Sequence, residues 1–215
     1  AEVSDLAGEK GELTAKAAGT TDITATLYGL TATFQIEVSA ATVQWLELSV
    51  PGTQVAKNTQ AQLRATAAMS DGSRVDLTPS AVWYVDDATV GDVAAGALSA
   101  KIPGVVTVTA VVENFGTSAQ ITVSDANLTA IALNPLPSAL IIGSAVTEVV
   151  TASFDDGTSQ DVTAFAQLQS SDVNVATVSS FAGTEGVIAA VGQGSAVISA
   201  SYNGLSTSTA VNVAP

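Results

Sequence analysis

Apolar and polar residues alternate with a period of two along several stretches of the chain. Near the start, Ile23, Ala25 and Leu27 alternate with threonines. Because successive side chains of a strand point to opposite faces, this pattern predicts a strand with one buried and one solvated face. The same alternation recurs twice downstream, at Val108, Ala110 and Val112 and at Ile198, Ala200 and Tyr202. No segment reads as a helix of useful length, so we expect an all-β chain.

A second alternating stretch follows each of these strands after two residues typical of a tight turn. The connecting pairs are Tyr28-Gly29, Glu113-Asn114 and Asn203-Gly204. Glycine and asparagine tolerate the positive φ that such a turn needs, so each pair of strands is predicted to form a hairpin. About seven strands are expected in each stretch of roughly 85–90 residues, which is typical of an immunoglobulin-like β-sandwich.

The chain contains an internal repeat. "MSDGSRVDLT" (69–78) aligns with "FDDGTSQDVT" (154–163) at an offset of 85. The same offset holds without a gap from residue 43, aligned with residue 128, to residue 93, aligned with residue 178. Five extra residues near "SSFAGTEG" then raise the offset to 90. The N-terminal stretch aligns with the second half only, at an offset of 175. We therefore expect half an immunoglobulin-like repeat at 1–39 (repeat 1) and whole domains at 43–124 (repeat 2) and 128–215 (repeat 3).

Several motifs of this repeat resemble those of a known family. They are "DG(S/T)" followed by "D(V/L)T", then "SSDxxVATV", seen as "QSSDVNVATV" at 169–178, then a glycine-containing strand pair. In this order they resemble the bacterial Ig-like domains of group 2, found in intimin- and invasin-like adhesins and other bacterial and phage surface proteins. Repeat 2 departs from the pattern, with "YVDDATVGDV" in place of the double serine. The resemblance implies tandem Ig-like sandwiches at the bacterial cell surface, mostly as spacers.

Composition removes several classes of function. The chain has no histidine and no cysteine, which excludes the commonest general base, the commonest transition-metal ligand and disulfide bonds. The formal net charge is −14, a surface that repels nucleic acid and anionic membranes. No apolar run of about 18 residues would span a membrane. We therefore expect no enzyme, no catalytic residues, no nucleic-acid partner and no membrane insertion.

The acidic stretch 154–163 raises the question of a calcium site. An EF-hand needs oxygen ligands at alternating positions and a distal glutamate, and this spacing does not supply them. Asp71-Gly72 and Asp156-Gly157 instead predict hairpin turns of type I′, with Asp76, Thr78, Asp161 and Thr163 bonding local backbone groups. No cofactor is expected, and structural calcium is a subordinate possibility. Its candidate ligands are Asp86, Asp87, Asp125, Asp155 and Asp156, with Asp92 nearby.

The aromatic residues are candidates for core or for binding. Trp83 and Tyr84 are adjacent in a predicted strand, so Trp83 is expected to be buried and Tyr84 exposed beside Val82. Trp45 is expected to pack at the joint with repeat 1. Phe115 and its counterparts Leu30 and Leu205 are expected to pack locally.

The joints between repeats are short. They consist of residues 39–42 and 124–127 and contain neither glycine nor proline, so we expect a stiff array of end-to-end sandwiches. Residues 1–39 alone would expose an apolar face, which either missing strands or strands of another chain would complete.

Three functions are weighed on this basis. The first is a non-enzymatic extracellular spacer in the stalk of a bacterial surface protein or adhesin, whose partners are neighbouring Ig-like domains and a protein or glycan ligand. The second is a structural subunit of a filament or phage particle. The third is a carbohydrate-binding accessory module, for which Tyr84 is the one exposed aromatic found.

Overall fold

The computed structural model describes residues 1–4, 11, 13–181 and 183–215. In these residues the chain is all-β, and the helical content is one 3₁₀ turn at Thr163–Phe165. The predicted fold class, tandem immunoglobulin-like β-sandwiches, is confirmed. Contacts divide the chain into two compact units, residues 1–45 with 68–74 and residues 46–67 with 75–215. The domain boundaries expected at 39, 43, 124 and 128 stay predictions.

Repeat 1 contributes four described strands, which form two separate two-stranded sheets. The strands are Glu2–Val3 (β1), Leu13–Thr14 (β2), Gly19–Leu27 (β3) and Leu30–Val38 (β4). β1 pairs with β2 and β3 with β4, both antiparallel. Tyr28 (φ 49°) and Gly29 (φ 81°) turn the predicted hairpin, and positive φ at both central residues is the geometry of a type I′ turn.

Repeat 2 contains ten strands in three sheets. The sheet orders are β5-β8-β9, β10-β13-β14-β6 and β11-β12-β7. The strands are Val43–Ser49 (β5), Gln54–Ala56 (β6), Gln60–Gln62 (β7), Arg64–Met69 (β8), Arg74–Asp76 (β9), Val82–Val85 (β10), Gly91–Ala94 (β11), Ala97–Ala100 (β12), Gly104–Val112 (β13) and Phe115–Ser124 (β14). In the β13–β14 turn the positive φ falls on Glu113 (52°), and not on Asn114 as predicted.

Repeat 3 repeats this topology strand for strand. Its sheet orders are β15-β18-β19, β16-β24-β23-β20 and β17-β22-β21. The strands are Leu128–Leu133 (β15), Leu140–Ile141 (β16), Ala145–Thr147 (β17), Val150–Phe154 (β18), Ser159–Asp161 (β19), Gln167–Ser170 (β20), Ala176–Val178 (β21), Val187–Ala190 (β22), Gly194–Tyr202 (β23) and Leu205–Ala214 (β24). The four strands of repeat 1 correspond to β21–β24 at the offset of 175, as the sequence alignment predicts.

The sandwich cores are built from small aliphatic side chains. In repeat 2, one cluster joins the four-stranded sheet to the sheet β11-β12-β7. It includes Val106 and Ile121 from the first sheet and Ala61 and Leu98 from the second, all 0% exposed. Repeat 3 has two such clusters, one of them around Ile188 and Ile198. In the long strands β13, β14, β23 and β24, the buried residues alternate with more exposed ones, as the period-two pattern predicts.

The β3–β4 hairpin of repeat 1 presents the same face without a cover. Phe34 is 69% exposed and Ile36 half-buried, whereas Ile121 and Val211, which correspond to Ile36, are 0% and 1% exposed. Leu27 and Leu30, at the tip of the hairpin, are 69% and 79% exposed. The open apolar face expected for residues 1–39 is therefore present in the described part of this segment.

Candidate functional site at the joints between repeats

A hairpin turn at Asp71-Gly72 lies beside the linker that enters repeat 2. The Gly72 N–H donates to the Met69 carbonyl at 3.0 Å, and the Met69 N–H donates to the Ser73 carbonyl at 2.9 Å. Only the glycine has positive φ, 82°, so this is a type I turn followed by a left-handed glycine. The predicted turn is confirmed and the predicted type I′ is wrong, because the loop has three residues and only its last one needs glycine. Gly157 (φ 83°) repeats this geometry in repeat 3.

The carboxylate of Asp71 fastens the turn to the linker. Oδ1 accepts hydrogen bonds from the backbone N–H and the hydroxyl of Ser73, at 2.9 and 2.6 Å. Oδ2 accepts from the hydroxyl of Ser39 in the linker, at 2.8 Å. Hydrogen bonds from Ser73 first, and from Ser39 after them, lower the pKa of Asp71 to about 2. The turn aspartate is therefore a structural clasp held in its charged form.

Asp156 forms the equivalent clasp in repeat 3. Oδ1 accepts from the N–H and the hydroxyl of Thr158, at 2.9 and 2.6 Å, and Oδ2 accepts from the Gln54 amide of repeat 2 at 3.3 Å. The bond from the Thr158 side chain is the largest of the causes that lower the pKa of Asp156. In both repeats, the clasp aspartate therefore accepts hydrogen bonds from its own turn with one carboxylate oxygen and from an earlier part of the chain with the other.

The residue before each clasp bonds to the linker backbone. In repeat 2, the Ser70 N–H donates to the Thr42 carbonyl at 2.8 Å, and the Thr42 N–H donates back to the Ser70 hydroxyl at 3.0 Å. In repeat 3, the Asp155 N–H donates to the Asn127 backbone carbonyl at 3.1 Å. The backbone N–H and the side-chain amide of Asn127 donate in turn to the Asp155 carboxylate, at 2.9 and 2.8 Å. Hydrogen bonds from Asn127 lower the pKa of Asp155. Both linkers are therefore paired to the turn that follows them.

The joint between repeats 2 and 3 also has an apolar centre and an ion pair. Ala56 and Ala126, 3% and 6% exposed, belong to the core cluster that contains Phe154 of repeat 3. Beside them the Lys57 ammonium lies 2.5 Å from the Asp125 carboxylate. The core of repeat 3 thus extends into the end of repeat 2.

Hydrogen bonds surround this apolar centre. The Gln60 N–H donates to the Tyr202 hydroxyl at 3.2 Å, and the Gln60 carbonyl accepts from the Gln160 amide at 2.6 Å. The Asn203 amide donates to the Asn58 carbonyl at 2.9 Å. Burial in this joint raises the pKa of Tyr202. Each of these bonds joins a backbone group of repeat 2 to a side chain of repeat 3.

The Asp-x-Thr motifs bond local backbone groups, as predicted. The Thr163 N–H and hydroxyl donate to Asp161 Oδ1 at 2.9 and 2.6 Å, and the Thr163 hydroxyl accepts from the Val150 N–H at 2.8 Å. In repeat 2, Thr78 bonds to Asp76 and to the Ala65 N–H in the same way, each at 2.9 Å. Both threonines are buried, so their hydroxyls satisfy backbone groups that water does not reach.

The candidate calcium ligands are dispersed over the described residues. Asp86 accepts from the Thr107 N–H at 2.8 Å, and Asp87 from the N–H and hydroxyl of Thr89 at 2.9 and 2.6 Å. These bonds lower the pKa of both carboxyls. Asp92 bonds to the Val93 N–H at 2.9 Å. In the part of the chain that the structure describes, no three carboxylates form a group suited to a metal ion.

Two of the aromatic predictions concern β10. Tyr84 and Val82 are 56% and 53% exposed, as predicted. Trp83 packs against the core of repeat 2 and donates its indole N–H to the Thr78 carbonyl at 3.1 Å, but it is half-buried and not buried. The reason is that β10 is the edge strand of its sheet, so the ring has a neighbouring strand on one side only.

The remaining apolar candidates are more exposed than predicted. Trp45 was expected to pack at the joint with repeat 1, but it is 48% exposed and its ring faces the Arg74 guanidinium at 5.4 Å. Phe115 and Leu205 are half-buried, whereas Leu30 is exposed. The prediction that all three pack locally is wrong for Leu30, because the described strands leave its hairpin face uncovered.

Sequence reasoning missed most of the joint residues and one buried acid. Ser39, Gln160 and Tyr202 lie at ordinary strand or linker positions, and no signal in the sequence singles them out. Glu148 is different, since the offset of 85 places it over Leu63, which is fully buried in repeat 2. An acid aligned with a core leucine is a signal that the sequence does contain.

Comparison with known proteins gives one informative match. No family model matches the chain. Ice-binding protein 1 of Shewanella frigidimarina (strain NCIMB 400) is 35% identical over 158 residues, which cover 71% of this chain and 17% of that protein. The chain therefore spans less than a fifth of the length of the relative that it matches. No helix in the described residues is long and apolar enough to cross a membrane.

Solved structures with some likeness are surface proteins. Domains 4–9 of the surface layer protein SbsC match with a TM-score of 0.45 and 18% identity, over 91% of this chain and 35% of that chain. Domains 5–6 of SbsC match with a TM-score of 0.45 and 16% identity, over 80% and 98%. The Escherichia coli adhesin FdeC matches with a TM-score of 0.34 and 14% identity, over 92% and 74%.

Proposed function

We propose that this chain is a non-enzymatic spacer, a tandem Ig-like segment of an extracellular bacterial surface protein or adhesin. Its action is mechanical: the repeats hold a binding domain at a fixed distance from its anchor. The observation that carries the proposal is that each linker is hydrogen-bonded to the Asp-Gly turn that follows it, through Ser39 and Asp71 in the first case and through Asn127 and Asp155 in the second. A linker fixed at both ends transmits orientation, which a spacer needs and a free tether does not provide.

The match to ice-binding protein 1 supports a place for the chain within a longer protein. We infer that the chain corresponds to a spacer segment of a related surface protein, and that ice or another ligand binds to a different part of it. The carboxylates of Asp71, Asp155 and Asp156 at the joints already accept donors within the chain, which supports a structural role for them. The motif resemblance to group 2 bacterial Ig-like domains supports the same proposal.

The stiffness of the joint between repeats 2 and 3 tests the proposal directly. The chain has no cysteine, so Val105→Cys in repeat 2 and Thr177→Cys in repeat 3 would place two unique spin labels at exposed positions. We expect a narrow distribution of distances between the labels. Replacing Asp155 and Asp156 together by alanine should broaden it, since the bonds of Asp155 to Asn127 in the linker and of Asp156 to Gln54 in repeat 2 are lost.

Asp172→Ala is the matched control for that experiment. Asp172 also bonds a nearby N–H in repeat 3, that of Asn174 at 2.9 Å, but it takes no part in the joint. This variant should keep the narrow distribution. A broad distribution in the unmodified chain would contradict the spacer proposal.

An ice-affinity assay separates the spacer from the ligand-binding part. When a solution of the chain is slowly frozen onto an ice surface, we expect the chain to stay in the liquid fraction. Enrichment of the chain in the ice would overturn the inference that ice binds elsewhere in the longer protein.

A second candidate is a subunit of a filament or particle, completed by strands of a neighbouring chain. The open apolar face of the β3–β4 hairpin favours it, because the same face is core in repeats 2 and 3. Light scattering after size exclusion, with and without calcium, tests it. A defined oligomer in which residues 1–39 resist protease supports the assembly subunit, and a monomer in which they are cut early supports the spacer.

A further inference from the structure

Glu148 occupies a leucine position of the core. It aligns with Leu63 of repeat 2, and the two residues have the same backbone partner: the Leu63 N–H donates to the Gly96 carbonyl at 2.7 Å and the Glu148 N–H to the Gly186 carbonyl at 2.8 Å. Leu63 is 0% and Glu148 1% exposed. At this equivalent buried position, repeat 2 therefore has an aliphatic side chain and repeat 3 has a carboxyl group.

The carboxyl group of Glu148 has no hydrogen-bond partner. Neither Oε1 nor Oε2 makes a hydrogen bond, although both are shielded from solvent. Burial is the main cause that raises the pKa of Glu148 above its ordinary value near 4.5; the nearby backbone N–H groups of Asn134 and Val149, which fall short of hydrogen-bond geometry, offset this only in part. A buried carboxylate without donors is costly, whereas a protonated carboxyl group is a near-neutral substitute for leucine.

Glu148 also adjoins a solvent-open groove of about 400 Å³. The charged residues that line it with Glu148 are Asp161, Glu185 and Arg64. Each of these three groups already has a partner: Asp161 accepts from Thr163, and Arg64 bonds to Asp76 at 3.2 Å. Glu185 accepts from the Gly183 N–H at 2.9 Å. The groove has the volume to hold water beside the Glu148 carboxyl group.

We propose that Glu148 makes repeat 3 a proton-sensitive sandwich. Protonated, it fills the leucine position and the pairing of β17 with β22 stays closed. When it ionises, water from the adjoining groove reaches the carboxylate, and the backbone bond from Glu148 to Gly186 opens. Repeat 2, with Leu63 at this point, keeps its core in both conditions.

Because the pKa of Glu148 is raised on folding, its contribution to stability decreases with rising pH. The folded state binds the Glu148 proton more tightly than the unfolded state, so this contribution to stability is complete below pH about 4.5. It is lost as pH rises through the higher folded-state value. The clasp aspartates have lowered pKa values, so their effect lies in acid and has the opposite sign.

Hydrogen exchange of the whole chain tests the proposal at two amides of one molecule. Protection of the Glu148 amide would be measured from pH 5 to pH 9 and divided by that of the same amide in Glu148→Gln, which cancels the intrinsic effect of pH on exchange. We expect this ratio to fall by up to tenfold per pH unit while opening releases the Glu148 proton, that is above pH about 4.5, and to level off above the folded-state pKa. The Leu63 amide, treated in the same way, should keep a constant ratio.

Glu148→Leu provides the second measurement. It restores the residue found in repeat 2, and we expect higher stability than the unmodified chain at pH 8 and a difference that shrinks toward pH 4.5. A constant protection ratio at Glu148, or an equal fall at Leu63, would overturn the proposal. So would a Glu148→Leu chain whose stability advantage does not change with pH.

Discussion

At the scale of single residues, the clasp of Asp71 works through two hydroxyl donors of unequal effect. The Ser73 side chain lowers the pKa of Asp71 most, and the Ser39 hydroxyl contributes less. We predict that Ser73→Ala raises this pKa from about 2 further than Ser39→Ala does. Titration of the Asp71 carboxyl carbon by NMR measures both shifts. Equal shifts, or none, would show that the hydroxyls do not hold the carboxylate.

The clasp has a defined dependence on pH. Because the folded-state pKa of Asp71 is lowered, its bonds are present above the ordinary value of 3.8 and are lost as pH falls toward 2. The linker bond from Ser39 should therefore weaken only in strong acid. At neutral pH Asp71 stays ionised, so its bond to Ser39 does not change with pH there.

The buried threonine of the Asp-x-Thr motif provides a prediction of stability. Thr163→Val keeps the shape of the side chain but leaves the Val150 N–H without its acceptor, now 2.8 Å away. An unsatisfied buried donor costs about 1–3 kcal/mol, so we expect unfolding in urea to become easier by that amount. Thr177→Val, on an exposed strand position of the same repeat, should change little. Equal effects of the two substitutions would refute the role of the buried hydroxyl.

At the scale of elements, glycines with positive φ differ in what surrounds them. A Cβ on Gly186 (φ 78°) would lie 2.1 Å from the Glu148 carbonyl oxygen, whereas a Cβ on Gly157 (φ 83°) would meet nothing within 4 Å. Gly157→Ala should therefore cost only the left-handed conformation, about 1–2 kcal/mol. Gly186→Ala adds overpacking and should cost roughly 3 kcal/mol or more. Thermal unfolding of both variants distinguishes them, and similar losses would contradict the close approach.

The elements were predictable where the pattern is local. Period-two alternation identifies β3, β4, β13, β14, β23 and β24, and the turn residues identify their hairpins. The type of the Asp71-Gly72 turn was not predictable, because it depends on how many residues close the loop. The half-burial of Trp83 depends on strand order, which the spacing of apolar residues does not encode.

The candidate site was predictable only in part. Asp71 and Asp156 stand out as turn residues, but their second oxygens bond to Ser39 and Gln54, and Gln54 is 102 positions from its partner. Such pairings arise from the docking of one repeat on another. Glu148 could have been found, since the repeat alignment places it over a core leucine.

At the scale of the whole molecule, corresponding positions of repeats 2 and 3 have diverged according to what covers them. Ala56 and Lys57 lie in the joint with repeat 3, and the positions that correspond to them are Ile141 and Ile142, which are 65% and 46% exposed. A small residue fits against the cluster around Phe154, and a lysine bonds to Asp125 beside it. The joint is therefore specified by residues that differ between otherwise equivalent repeats.

This pair of positions allows the joint to be tested with its own control. Ala56→Arg introduces a long charged side chain at a point that is 3% exposed and packed against repeat 3, so the joint must open to accommodate it. Ile141→Arg makes the equivalent change where the side chain is already in solvent. In calorimetry we expect repeats 2 and 3 of the unmodified chain and of Ile141→Arg to melt in one transition, because the core of repeat 3 includes residues of repeat 2. Ala56→Arg should separate the melting into two transitions, the lower at reduced temperature. One unchanged transition in Ala56→Arg would mean that the joint does not couple the two repeats, and a split in Ile141→Arg would mean that the effect is not specific to the joint.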